Sequence, residues 1–419
     1  MTTRETTNGK YADLVQETRV HGSLYTDPGI FADELARIWY RTWVCVGHTS
    51  EVARPGDYVR KSIGLQDLIM TRSRDGEVNL LVNRCAHRGA TVCEDLRGNS
   101  SAFRCPYHGW TYDNKGGLLG YPYHQGYGGK NKLDVSMGRV PRVEAYQGFV
   151  FASFAPDGPS LKEHLGGAAG ELDRLSRLSP EGESELTAGW LRHRTHTNWK
   201  MVMENETDGY HPQFVHGSIF GVTGSPIGAL YSEKSTAVTR DLGGGHSEND
   251  LRPEFRDRAQ PLGWFGTTED KVPDYVARMR ARYGEQAEEI LIDGAPHVAV
   301  FPNLFIAEIS VFMIQPVSVS ETIQNVTAVQ LKGAPDMNRR LLSQSVGSVG
   351  PAGMLLADDA EMYERSQRGV NGNLPEWLAL RRGAHRERTD DQGYLVGDVT
   401  DETGIRGFWS QYRTVMEEG

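Results

Sequence analysis

Cysteine is scarce: four residues in 419, at Cys45, Cys85, Cys93 and Cys105. That argues against a secreted disulfide scaffold and makes a reducing interior the expected compartment. Positive charge is also short, with 45 Lys and Arg against 55 Asp and Glu and a net charge of −10. A duplex nucleic-acid binder normally carries a basic excess, so no nucleic-acid partner is expected. No clean apolar run reaches the ~18 residues of a membrane span. The best stretch, His297 to Val317, is interrupted by Pro302, Asn303 and Glu308 and reads as buried strands. The opening MTTRETTNGKYADL lacks the apolar segment of a signal peptide. A cytoplasmic protein without a membrane partner is the expectation. Solenoid repeats, low-complexity tracts and a strand-linked GxGxxG dinucleotide fingerprint are missing too.

What is there suits two or three globular domains. Asp27 is a good N-cap and Pro28 suits the first helical position, with Ile30/Phe31, Leu35 and Ile38/Trp39 following at helical spacing. From about Arg54 to Phe154 the pattern is short strands. Val78, Leu80 and Val82 alternate after an Asp75-Gly76 turn, Asn114 to Gly117 marks another turn, and Gly148 to Phe154 reads as a strand. Beyond Pro156 the character is mixed. Ser160 to Leu175 and Leu355 to Gln367 read as helices, Val298 to Phe301 and Leu304 to Val317 as strands, and Asp241 to Asn249 as a loop.

Two constellations carry chemistry. The first is Cys85-Ala86-His87, followed after 17 residues by Cys105-Pro106-Tyr107-His108, each half trailed by glycine. Two thiolates and two imidazoles are the ligand set of a Rieske [2Fe–2S] centre, in which neutral histidines on one iron raise the reduction potential. The competing reading is a structural zinc site, but zinc pairs usually begin Cys-x₂₋₄-Cys, whereas each half here offers one Cys and one His. Cys45 and Cys93 have no such partners and read as small buried residues.

The second lies in Asn198 to His216. Asp208 and His211 are three apart and would share a helix face. His216 is five beyond His211, about 140° away on an ideal helix. Both imidazoles reach one metal only if the helix breaks, and Pro212 supplies a reason for a kink. Two imidazoles and one carboxylate make the facial triad of non-haem Fe(II) oxygenases. The carboxylate must come from elsewhere, and the candidate stretch is Ala357-Asp358-Asp359-Ala360-Glu361 on the late helix.

CxH-x17-CxxH, Asn198-Trp199-Lys200, D-x2-H-x4-H and the late ADDAEMYERSQ helix together resemble the catalytic α subunit of Rieske non-haem iron ring-hydroxylating oxygenases, over nearly the whole chain. The spacing from Glu204-Asn205 to Asp208 and His211 resembles the branch acting on benzoate-type acids. The resemblance implies an α+β protein: an all-β Rieske domain (38–156) set into a larger catalytic domain with a central antiparallel sheet covered by helices (157–419), to which 1–37 adds a helical part. It implies that Cys85 and Cys105 hold one cluster iron and His87 and His108 the other. It implies that His211, His216 and Asp359 hold a mononuclear Fe(II), with Asp358 the alternative one position away. It implies a catalytic bridging role for Asp208, between His211 and the cluster histidine of a neighbouring subunit. It further implies a homotrimer, with or without a small β subunit, fed with NAD(P)H electrons by a separate reductase and/or ferredoxin.

The implied activity is O₂-dependent hydroxylation of an aromatic ring, cis-dihydroxylation of an aromatic carboxylate in the first instance. The alternatives are a monooxygenase or demethylase on an aromatic or N/O-methyl substrate and, in a different class, a Rieske electron carrier. Ile219, Phe220, Val222, Val300, Phe301, Leu304, Phe305 and Ile306 are candidates for an apolar substrate cavity, and equally for ordinary core. A carboxylate substrate calls for a facing cation, for which Arg192, Arg194 and Lys200 are near in sequence.

Overall fold

The computed structural model describes residues 9–128, 133–223, 227–350 and 353–418. The first eight residues of the expected N-terminal segment lie outside this set. The chain divides into two compact units: Trp39–Gly158, and Met1–Ile38 together with Pro159–Gly419. Among the described residues, no helix is long and apolar enough to cross a membrane.

Among the described residues, the Trp39–Gly158 unit has three small antiparallel sheets. Its turns fall where small residues permit a left-handed backbone. Gly76, at φ +88°, closes the turn before the Val78–Val82 strand, and Gly116, at φ +86°, closes the next. The core gathers Ile69, Leu81, Phe103, Trp110, Tyr112 and Met137 around Cys85 and Cys105.

The other unit centres on a nine-stranded antiparallel sheet. From one edge it runs Leu191–Thr195, Glu321–Ala328, Ser310–Ser318, Leu304–Ala307 and His297–Val300. It continues through His246–Asp250, Val238–Gly243 and Leu395–Asp398 to Arg388–Thr389. Helices Trp199–Thr207 and Thr403–Glu418 pack on its central strands, which explains the near-continuous apolar run there. The helix Pro28–Glu34 is capped by Asp27, whose carboxylate accepts from the Gly29 and Ile30 amides. Glu34 is fully buried, and its carboxylate meets Lys200 Nζ (2.5 Å), Trp199 Nε1 (2.8 Å) and the Tyr412 hydroxyl (2.7 Å). The N-terminal segment is thereby locked to residues more than 160 positions away.

Three local readings change. Asp241 to Asn249 is a hairpin and not a loop. Gly243, Gly244 and Gly245 all take positive φ and make the turn. The second strand, His246–Asp250, is polar yet fully buried, because Arg174, Arg240 and Arg252 pair with Glu248 and Asp250. Apolar alternation cannot reveal a strand whose buried face is an ion-pair network. The helix over 160–175 is two helices, Leu161–Leu165 and Ala168–Arg177, parted at Gly166-Gly167. The strand over 304–317 is a hairpin whose turn is Glu308-Ile309.

Candidate metal centres

In the smaller unit the two Cys/His segments fold as near-copies. The Cys85 amide donates to Ala90 O, and the Cys105 amide to Trp110 O, both at 2.8 Å. Gly89 and Gly109, each four residues after its cysteine, donate back to the cysteine carbonyl at 2.9 and 3.0 Å. Both glycines sit at φ +74° and +70°, which is why each motif is trailed by glycine. The turns bury the cysteines and bring the imidazoles to the surface: His87 is half-buried and His108 exposed. The two rings lie 4.6 Å apart, and His87 stacks on Trp110 at 5.0 Å. Tyr112 approaches Cys85 Sγ with its hydroxyl at 3.2 Å and accepts from the Ala86 amide. All four cysteines are free thiols. Burial pushes the Cys45 and Cys93 thiols up, as suits inert core residues. His87 Nδ1 is buried without a hydrogen-bond partner. An orphaned imidazole nitrogen beside two buried thiols is a donor set that fits a cluster.

In the larger unit the donors come from two helical segments. Asn198 caps the Trp199–Thr207 helix by accepting from the Lys200 amide, and its own amide donates to Gln367 Oε1. Gln367, Tyr363 and Asp359 are spaced four apart on the buried face of the Met354–Val370 helix. That clamp sets Asp359 against the chain leaving the first helix. The break there differs from the sequence reading. The helix ends at Thr207, Asp208 turns extended, and its carboxylate accepts from the Tyr210 amide at 2.6 Å. Pro212 opens a new short helix, Pro212–Val215, instead of kinking an old one. Asp208 and His211 therefore meet across a turn, not along a helix face. Gly209 is required in that turn, since a Cβ would fall 2.1 Å from Val399 O.

The result is convergence. Asp359 Oδ1 lies 3.6 Å from His211 Nε2 and 3.2 Å from His216 Nε2. One donor atom from each of the three lies within 4.8 Å of the others. Asp358 faces the other side of His216, 3.7 Å from Nδ1. Asp208 Oδ2 is 3.4 Å from His211 Nδ1, near enough for charge attraction but not aligned as a hydrogen bond. Burial opposes charging His211, yet the carboxylates of Asp208 and Asp359 outweigh it and raise its pKa. His211 Nδ1, His216 Nδ1 and Asp359 Oδ1 are buried polar atoms without hydrogen-bond partners. Two Nε2 atoms converging on a buried carboxylate oxygen that has no hydrogen-bond partner fit a divalent metal.

This geometry is matched by known families. A model described as the Rieske [2Fe-2S] domain covers residues 42–141, and one described as the ring hydroxylating alpha subunit (catalytic domain) covers 183–418. The chain belongs to the Rieske ring-hydroxylating oxygenase α subunits. Members carry a Rieske cluster and a mononuclear iron, and the chain is an oxidoreductase of this class. The α subunit is 30% identical to the 2-halobenzoate 1,2-dioxygenase large subunit of Burkholderia cepacia, over 96% of this chain and 89% of that one. It is 40% identical over 199 residues to the N,N-dimethyl phenylurea N-demethylase subunit alpha of Sphingobium sp. (strain YBL2), 47% of this chain and 43% of that one. Its structure matches naphthalene 1,2-dioxygenase with indole bound in the active site, with a TM-score of 0.83 and 25% identity over 96% and 94% of the two chains. The expected α+β architecture is the one found.

Beside the metal-binding trio the α subunit holds a cavity of ≈ 180 Å³. Of the expected apolar lining, Phe220 and Phe305 face it. Val300, Phe301, Leu304 and Ile306 are buried core of the sheet instead, and Val222 is 90% exposed. Asn205, from the Glu204-Asn205 spacing, also lines it, as do Glu206, Tyr231, His297 and Glu308, to which the sequence alone gives no site role. Their only signal was nearness to the D-x2-H-x4-H segment or to the long apolar run. None of Arg192, Arg194 and Lys200 lines the cavity; Lys200 is spent on Glu34.

Proposed function

We propose that this α subunit is the terminal oxygenase of a multicomponent system, inserting oxygen from O₂ into a small aromatic compound. Cys85 and Cys105 are assigned to one iron of the cluster and His87 and His108 to the other. His211, His216 and Asp359 are assigned to the mononuclear iron. The carrying observation is the meeting of two Nε2 atoms and one carboxylate oxygen beside a largely apolar cavity. When bound, the cluster supplies single electrons and the mononuclear iron supplies the O₂ chemistry.

The residues do the rest. Phe220, Phe305, Ile309, Phe312 and Leu356 hold a ring and exclude water. Asp208 orients the His211 ring through Nδ1, leaving Nε2 for the metal. Asp208 also faces a cluster histidine of a neighbouring protomer in a head-to-tail homotrimer. A reductase and/or ferredoxin is the electron donor, and the halobenzoate relative, itself a large subunit, supports a small companion chain. The low cysteine content supports a cytoplasmic setting.

The halobenzoate relative supports dihydroxylation of an aromatic acid. The 40% identity to a phenylurea demethylase supports a second reading, monooxygenation at an N-methyl group. Iron per chain and ¹⁸O₂ products separate the possibilities. Three irons and labelled product are expected, with two labelled oxygens for dihydroxylation and one for monooxygenation. About two irons per chain with no product, the pattern of a carrier, would end the oxygenase reading.

A further inference from the structure

The cavity beside the metal-binding trio has a second polar group. Helices supply His211, His216 and Asp359; the sheet and its borders supply Tyr231, His297 and Glu308. His297 opens the strand His297–Val300, and Glu308 stands in the next hairpin turn at φ +42°. The Tyr231 hydroxyl is 3.4 Å from His297 Nδ1, and Glu308 Oε1 is 3.4 Å from the same nitrogen. That nitrogen donates to Glu308 or accepts from Tyr231, never both. Both contacts are long for hydrogen bonds, so the trio keeps donor and acceptor capacity for a ligand. His297 and Glu308 side chains are 16% and 31% exposed, open enough to be reached. Phe305 fixes the His297 ring edge-on at 4.9 Å.

The charge pattern selects the ligand. Among the described residues, no Lys or Arg lines this cavity, while Glu308 does. A carboxylate entering at this end of the cavity loses its water and faces the Glu308 carboxyl group with no Lys or Arg side chain to pair with. An amide or urea substituent instead offers an N–H for Glu308 and a carbonyl for the Tyr231 hydroxyl, leaving no polar group unpaired. The size is right for one ring, since a cavity of roughly 150 Å³ accommodates benzene.

We infer that Tyr231, His297 and Glu308 form the substituent-binding site, and that they select a single-ring arene bearing an uncharged amide- or urea-type N–H group over the matching carboxylate. This rests on the oxygenase reading above and names its substrate class.

Benzamide and benzoate, equal in shape and different in charge and N–H, are the probes. Calorimetric binding to the metal-loaded protein at pH 8 should show benzamide at least about fivefold tighter; any smaller ratio overturns the inference. Glu308→Gln should bring the ratio to within about twofold, and an unchanged ratio overturns the role of Glu308. If Glu308→Gln loses its iron, Tyr231→Phe takes its place and should weaken benzamide several-fold; unchanged benzamide binding overturns the assignment. Binding needs no turnover, so the two readings fail separately. Selective benzamide binding without ¹⁸O-labelled product keeps the site and removes the oxygenase, whereas labelled product from tightly bound benzoate does the reverse.

Discussion

The two metal centres are built on opposite plans. In the Trp39–Gly158 unit all four donors come from 24 consecutive residues, and one turn, used twice, places them. In the larger unit the donors come from a broken helix near residue 211 and from Asp359, almost 150 residues later. The first site is local and repeats a backbone template. The second exists only once distant helices are clamped by Asn198 and Gln367. Robustness should therefore differ: the first site depends on its own turns, the second on the packing of a whole unit.

The strongest way to break this contrast is to remove one donor from each site. Cys85→Ser should lose the visible spectrum of the cluster and lower iron from about three to about one per chain. Asp359→Ala should lose about one iron, keep the cluster spectrum and fall to background turnover. If either change empties both sites, the sites are not independent. A smaller effect sharpens the packing argument. Gly209→Ala touches no donor, but its Cβ collides with the Val399 carbonyl, so the turn carrying Asp208 and His211 must move. A displacement near 1 Å costs about a hundredfold in rate. Turnover should drop on that scale with the cluster spectrum intact, and a fully active variant would show that the turn has slack.

What sequence reading could reach follows the same division. Cys85, His87, Cys105 and His108 were legible because the chemistry and the turn glycines lie side by side. His211 and His216 were legible as a pair. The break between helices was not, because proline drew attention to 212 while the chain turns at Asp208-Gly209. The hairpin over 238–250 was hidden because its buried strand is charged. Tyr231, His297 and Glu308 were hidden because three unremarkable residues from different elements meet only in the folded sheet.

The smallest expected effect concerns pH. Burial pushes the Glu204 carboxyl up to about 7 from an ordinary 4.5, against the pull of Tyr25, Trp409 and Lys200. The folded state thus keeps a proton that the unfolded chain has released. This contribution is full below pH 4.5 and is lost as pH rises to about 7. Tyr25 and Trp409 both donate to Oε1, so Glu204→Gln keeps both bonds. Urea midpoints for that variant should vary less between these pH values than those of the parent. In the smaller unit burial raises the Cys93 thiol instead, away from this range, so that residue should not add to the same slope.

The knot of Glu34, Lys200 and Tyr412 sets an order of birth on the ribosome. The cluster-bearing unit has emerged whole by residue 158 and can close on itself while translation continues. The catalytic unit has its first piece in hand much earlier, yet Glu34 must wait for Tyr412 near the far end of the chain before its last hydroxyl partner arrives. A stalled nascent chain would carry a finished relay beside an unfinished oxygenase.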